Sequence, residues 1–193
     1  MLEQSFEINT ESVNLTDEQF FNLCQSNDFL RFERTADKQI IVMTPSGIWT
    51  SNRNNNISTY LTNWNNNKNL GYVFGSDAGF TLPNNAVRAP DASFVYKEKI
   101  NALSDFEKER FAHVVPDFVV ELMSPSDGLK HHQDKMQEYM ENGVLLGWLI
   151  IPKSEEVHIY RQSTEIQIVK GFDNVLSGEE ILPDFRFHLS LIR

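Results

Sequence analysis

Two proline-led segments place carboxylates on otherwise apolar, strand-like runs: Pro90-Asp91-Ala92-Ser93-Phe94-Val95 and Pro116-Asp117-Phe118-Val119-Val120-Glu121-Leu122-Met123. An unpaired carboxylate in an apolar interior is costly, so an acid kept there needs a cation, a donor network or a metal beside it. A helical pattern follows the second segment and carries Lys135, which makes Asp91, Glu121 and Lys135 the candidate site. Two carboxylates suit a hard ion, Mg2+ or Mn2+, that keeps several waters, polarises a phosphoryl oxygen and makes a bound water more acidic. A neighbouring lysine orients that water and stabilises developing charge. That chemistry is phosphodiester hydrolysis, although a structural ion pair uses the same residue types.

Geometry decides which acids work together. At about 3.3 Å per residue, Asp117 and Glu121 share a strand face but stand roughly 13 Å apart, too far to hold one metal directly. Asp91 can lie beside Glu121 if their strands are neighbours, and Pro90, which cannot donate a ladder hydrogen bond, suits a strand start or edge. At roughly 100° per residue, Leu129, His132, Met136, Tyr139 and Met140 share one side of the helix. Lys130, Asp134, Glu138 and Glu141 share the other. Lys135 borders the apolar stripe, from which its long side chain reaches either along the sheet toward Glu121 or out to solvent.

Other tempting residues have plainer readings. His131 and His132 are about 100° apart on a helix and poorly placed to chelate one metal together. Ser124 and Ser126 lack a nucleophile-elbow pattern and read as turn and cap residues. Trp49, Trp64 and Trp148 read as core or interface aromatics. Arg53, Arg88, Lys97 and Lys130 read as solvated charges, and Cys24 as a small residue on the buried face of the first helix.

The elements that position these residues are an α/β set. Thr16, Gln19, Leu15 and Phe20 form a capping box and staple for a helix to about Asn27. Two β-like runs, 29–35 and 39–44, suggest a hairpin. Ile57, Tyr60, Leu61 and Trp64 lie on one helical face despite the asparagine-rich surroundings. Strands are predicted at 72–74, 79–82, 89–96, 118–123 and 145–151, the last continuously apolar apart from Gly147, as for a strand covered on both faces. Ser104 and Glu107 cap a short helix, and a longer one runs from about Gly128 to Asn142 with Gly143 as its stop. A hairpin at 156–161 and 165–170 and an extended piece from Leu182 to Ile192 finish the chain. These intermingled elements make a single α/β domain over 1–193 with a mixed central β-sheet flanked by helices, preceded by an N-terminal helix and hairpin.

The chain has 193 residues with 40% hydrophobic content, enough for one domain with a real core, and a formal net charge of −10. That charge opposes indiscriminate polyanion binding but leaves room for a local basic groove. One cysteine excludes an intrachain disulfide and a multi-cysteine zinc site. No run approaches the roughly 20 apolar residues that span a bilayer, and Met1-Leu2-Glu3-Gln4-Ser5 has neither a basic start nor an apolar export core. The expectation is a cytoplasmic protein without a membrane partner.

Three stretches resemble the Uma-two family, restriction-endonuclease relatives with a PD-(D/E)XK nuclease fold that are especially numerous in cyanobacteria. They are Arg88 to Val95, Pro116 to Asp127, and Lys135-Met136-Gln137-Glu138-Tyr139 followed by Asn142-Gly143 and Gly147-Trp148-Leu149-Ile150. Arg31-Phe32-Glu33 and Leu182-Pro183-Asp184-Phe185 extend the likeness to about residues 15 to 190. The resemblance implies a restriction endonuclease-like fold, Asp91 and Glu121 as acidic ligands of Mg2+ or Mn2+, and a backbone carbonyl from Leu122. The superfamily lysine two residues after the second acid is Met123 here, which moves that role to Lys135. Glu33 is implied as an additional active-site acid, against an exposed strand glutamate as the other reading.

The leading expectation is thus a metal-dependent endonuclease acting on DNA, working as a homodimer. A catalytically inactive nuclease-like binding or regulatory module is the alternative. A two-carboxylate glycosidase ranks last, because a lysine beside the pair lowers carboxylate pKa values where such an enzyme needs one group protonated.

Overall fold

The structure is a computed structural model and describes residues 5–10, 12, 13 and 15–193. Met1 to Gln4, where the export-signal reading was made, lie outside them. A strand β1 (Ser5–Ile8) that the sequence pattern did not suggest pairs with the segment Ile40–Met43. Helix α1 (Asp17–Gln25) begins on the expected capping box: the Thr16 hydroxyl accepts from the Gln19 N–H at 3.2 Å and the Gln19 side chain accepts from the Thr16 N–H at 2.9 Å. Its Phe20 is fully buried, and Cys24 packs at the edge of the same cluster. Strands β2 (Arg31–Arg34) and β3 (Ile40–Met43) form the predicted hairpin, with Glu33 opposite Ile41.

Helix α2 (Ile48–Lys68) is longer than its apolar face implied. Ile57, Leu61 and Trp64 are buried as the spacing requires, while Tyr60 stays partly exposed. Several of its asparagines fasten the helix to the rest of the chain: Asn56 donates to the Leu191 carbonyl, and Asn65 exchanges hydrogen bonds with the Gly71 backbone. Low helix propensity is thus offset in part by tertiary contacts that these short amides supply.

The central sheet has six strands in the order β11-β10-β9-β8-β7-β4. These are β4 (Gly71–Gly75), β7 (Ala92–Tyr96), β8 (Phe118–Leu122), β9 (Leu146–Ile151), β10 (Glu156–Arg161) and β11 (Gln167–Lys170). β8 and β9 run parallel across α5 (Leu129–Glu141), and the other neighbours are antiparallel. β8 and β9 are buried throughout, as runs apolar except at Glu121 and Gly147 demand. On one face, Ile57, Leu61 and Trp64 pack with Phe94, Phe118, Val120 and Trp148; on the other, Met136 and Tyr139 pack with Val119, Met123 and Leu149. Gly147 leaves room there for the Met136 side chain, whose terminal methyl would have to shift to admit a Cβ.

A second sheet, β1-β3-β2-β6-β5, adds β5 (Phe80–Thr81) and β6 (Val87–Arg88). The expected strand 89–96 therefore begins only at Ala92, and Asp91 stands just ahead of it. The carboxy-terminal piece is also less extended than expected: β12 (Val175–Ser177) pairs with β13 (Arg186–His188), and a 3-10 turn closes the chain. Short helices α3 (Lys97–Asn101) and α4 (Asp105–Lys108) link β7 to β8, the second with the predicted Ser104–Glu107 capping box. Among the described residues no helix is long and apolar enough to cross a membrane.

Candidate active site

β7 and β8 are antiparallel neighbours with Ala92 opposite Val120. One further step of that register sets Asp91 opposite Glu121, where directly facing side chains approach closely. The Leu122 N–H donates to Asp91 Oδ2 at 2.8 Å, and the Asn54 side-chain amide donates to Asp91 Oδ1 at 2.7 Å. Protein packed around the carboxyl, and then the negative charge of Glu121, push Asp91 up to about 7 despite the Leu122 N–H that favours its ionised form.

Glu121 projects from the α5 face of the sheet, as alternation along β8 requires. Its Oε1 accepts from the Tyr139 hydroxyl at 3.0 Å and lies 2.8 Å from Lys135 Nζ. The same amine donates to Glu33 Oε1 at 2.8 Å. Lys135 is 8% exposed and Glu33 2%, so this lysine does not snorkel to solvent, nor is Glu33 an exposed strand glutamate. Burial disfavours the ammonium, but the charges of Glu121 and Glu33 outweigh it and keep Lys135 protonated. Burial likewise pushes Glu33 up, yet Lys135 and Arg88 beside it and the Ala89 N–H hold it down to about 2.

Arg88 is the correction to the reading of solvated charges. It is buried and links Glu33 Oε2 at 3.1 Å to Glu138 Oε2 at 2.6 Å. Glu138 also accepts from Asn84 at 2.9 Å. A chain of alternating charge thus runs from α5 through β6 and β2 back to α5, and it fixes the Lys135 amine beside Glu121. Asp91, Glu121, Leu122, Lys135, Glu33 and Asn54 line one cavity of about 560 Å³.

The family model described as "Putative restriction endonuclease", Uma2, matches residues 17–191. The chain belongs to this family. A solved relative of the fold is the crystal structure of a "putative nuclease belonging to DUF820" from Anabaena variabilis ATCC 29413, 18% identical, with a TM-score of 0.71 over 83% of this chain and 88% of that one. The mixed α/β architecture is accordingly restriction endonuclease-like. No curated relative matches the chain.

Within this Uma2 chain, Asp117 is structural, as strand rise required: it accepts from the Tyr96 N–H at 2.9 Å and pairs with Lys99 at 2.8 Å. Ser124 belongs to a turn, its N–H donating to Asp127 at 2.7 Å. His131 and His132 both border the cavity, their rings 5.7 Å apart. Among the described residues no three or more His, Cys, Asp or Glu side chains are grouped to hold a metal by themselves. Of the three tryptophans read as core or interface aromatics, Trp64 and Trp148 are in the core, whereas Trp49 is 67% exposed. Sequence reasoning also missed Tyr139 as a donor to Glu121, because its place on the apolar stripe accounted for it, and Asn54, which looked like one more asparagine in a run.

Proposed function

We propose that this Uma2-family chain is a metal-dependent endonuclease that hydrolyses DNA phosphodiester bonds. The observation that carries the reading is Lys135 Nζ, 2.8 Å from both Glu33 and Glu121, in a cavity shared with Asp91. Asp91 and Glu121 would hold the ion, with Leu122 lending its backbone carbonyl. These donors are hard oxygens, and so few protein ligands suit Mg2+ or Mn2+, which keep several waters; no Cys/His set of the kind zinc takes is grouped among the described residues. The buried Asn54 Oδ1, which has no hydrogen-bond partner among the described residues, fits a site that takes one more polar group. A divalent ion held there supplies Lewis-acid polarisation of the phosphoryl oxygen and a more acidic water.

The chain's own residues set the rest. Lys135, kept protonated by two carboxylates, is no general base at neutral pH; it orients water and offsets negative charge building on the phosphoryl group. Glu33 acts through Lys135, whose amine it anchors, and Arg88 fixes Glu33 in turn. In the hydrolysis a water oxygen bonds to phosphorus and releases its proton to solvent, while the P–O ester bond breaks and the departing oxygen takes up a proton from solvent to become a hydroxyl. A homodimer presenting two such cavities to two strands is part of the same reading.

The test is cleavage of supercoiled DNA with Mg2+ or Mn2+ and with EDTA, for wild type and Asp91→Ala. The expected result is ion-dependent nicking by wild type alone. Equal cutting by Asp91→Ala overturns the assignment, and Mn2+ binding without cleavage favours the inactive binding module.

A further inference from the structure

Asn54 lies three residues before Ile57 and seven before Leu61, so it continues the buried stripe of α2 toward the cavity. An amide there needs partners for both ends. Its Nδ2 has one, Asp91 Oδ1 at 2.7 Å. Its Oδ1 is buried without a partner among the described residues, an arrangement native structures seldom leave unexplained. The side chain lines the same cavity as Asp91, Glu121 and Leu122. The Leu122 N–H donates to the other oxygen at 2.8 Å, so Asn54 and the Leu122 backbone together hold both carboxylate oxygens of Asp91.

We propose that Asn54 is a positioning residue of the cation site, fixing Asp91 through Nδ2 and offering Oδ1 as a further oxygen donor toward the divalent ion. The inference rests on the metal-dependent reading above. A purely structural role would be met by the Nδ2 bond alone and gives Oδ1 nothing to do. The chemistry suits the occupant, since Asn side-chain carbonyls are hard, neutral ligands that add no charge to an already acidic pair.

The experiment is calorimetric titration of Mn2+ into wild type, Asn54→Ala and Asn54→Asp, with melts of the metal-free proteins alongside. Alanine forms helix better than asparagine, so α2 is not put at risk. The expected result is Mn2+ affinity about 10- to 100-fold weaker in Asn54→Ala, the size seen when groups supporting a metal site are removed. Asn54→Asp, which keeps an oxygen at the same reach but loses the Nδ2 donor, recovers part of that loss. If Asn54→Ala binds Mn2+ as tightly as wild type, or if both variants lose affinity equally, the inference fails while the metal site stands. If wild type itself does not bind millimolar Mn2+, the metal-dependent reading fails, and the role of Asn54 with it.

Discussion

Replacing Lys135 by methionine removes the cation but keeps an unbranched side chain of similar length, so the cost follows from what that cation holds. The amine lies 2.8 Å from Glu33 and 2.8 Å from Glu121, and the three side chains are nearly fully buried. Removing one partner of a buried ion pair costs about 3–5 kcal/mol, because the remaining charge stays in place uncompensated. Arg88 still reaches Glu33 at 3.1 Å, which leaves Glu121 as the main uncompensated acid. For a chain of this size each kcal/mol moves Tm by about 2–4 °C, so calorimetry at pH 7 is expected to show a fall of about 6–20 °C. The pH dependence follows from Glu33. Its folded value, about 2, lies below the ordinary 4.5, so the stability it contributes is present above 4.5 and lost as pH falls through 2. The variant lacks the part of that contribution that Lys135 supplies, and the gap between the two proteins therefore narrows from pH 7 toward pH 3. Glu121→Gln in the same background returns part of the loss. A fall under about 2 °C at pH 7, as for an exposed pair worth about 0–1 kcal/mol, refutes the reasoning, as does a gap that does not change with pH.

Asp91 predicts a proton linkage of the opposite sign. With its folded value pushed up to about 7 from an ordinary 3.8, its contribution to metal-free stability is complete below 3.8 and lost as pH rises through about 7. Mn2+ must displace that proton, so affinity falls about tenfold per pH unit below 7 and levels off above it; a flat profile from pH 5 to 8 in calorimetric titrations contradicts this. The rise in Tm on adding Mn2+ should correspondingly grow from pH 5 to pH 8. Trp49→Phe is expected to remove most acrylamide-quenchable tryptophan fluorescence, since Trp64 and Trp148 are buried; quenching unchanged from wild type contradicts the exposure of Trp49.

The acids and the lysine were legible because each broke a pattern: a charge on an apolar strand, or a long cation at the border of an apolar helix face. Strand rise also separated Asp117 from the site, and it is indeed tied to Tyr96 and Lys99 instead. What brings Glu33 and Arg88 together was not legible, because it depends on a second sheet whose two-residue strands β5 and β6 carry no periodicity. Asn54 was hidden for a related reason. Periodicity located its helix face, but only the tertiary approach of α2 to Asp91 separates it from the asparagines around it. Strand β1 and the break before β7 likewise follow from pairing partners distant in sequence.

The central claim is that Asp91 and Glu121 hold one divalent ion beside Lys135. A crystal soaked in Mn2+ and read by anomalous scattering tests it most directly. The expected result is a single strong peak in contact with both carboxylates, near the Lys135 amine. A peak that touches neither acid, or no peak in this cavity at millimolar Mn2+, contradicts it.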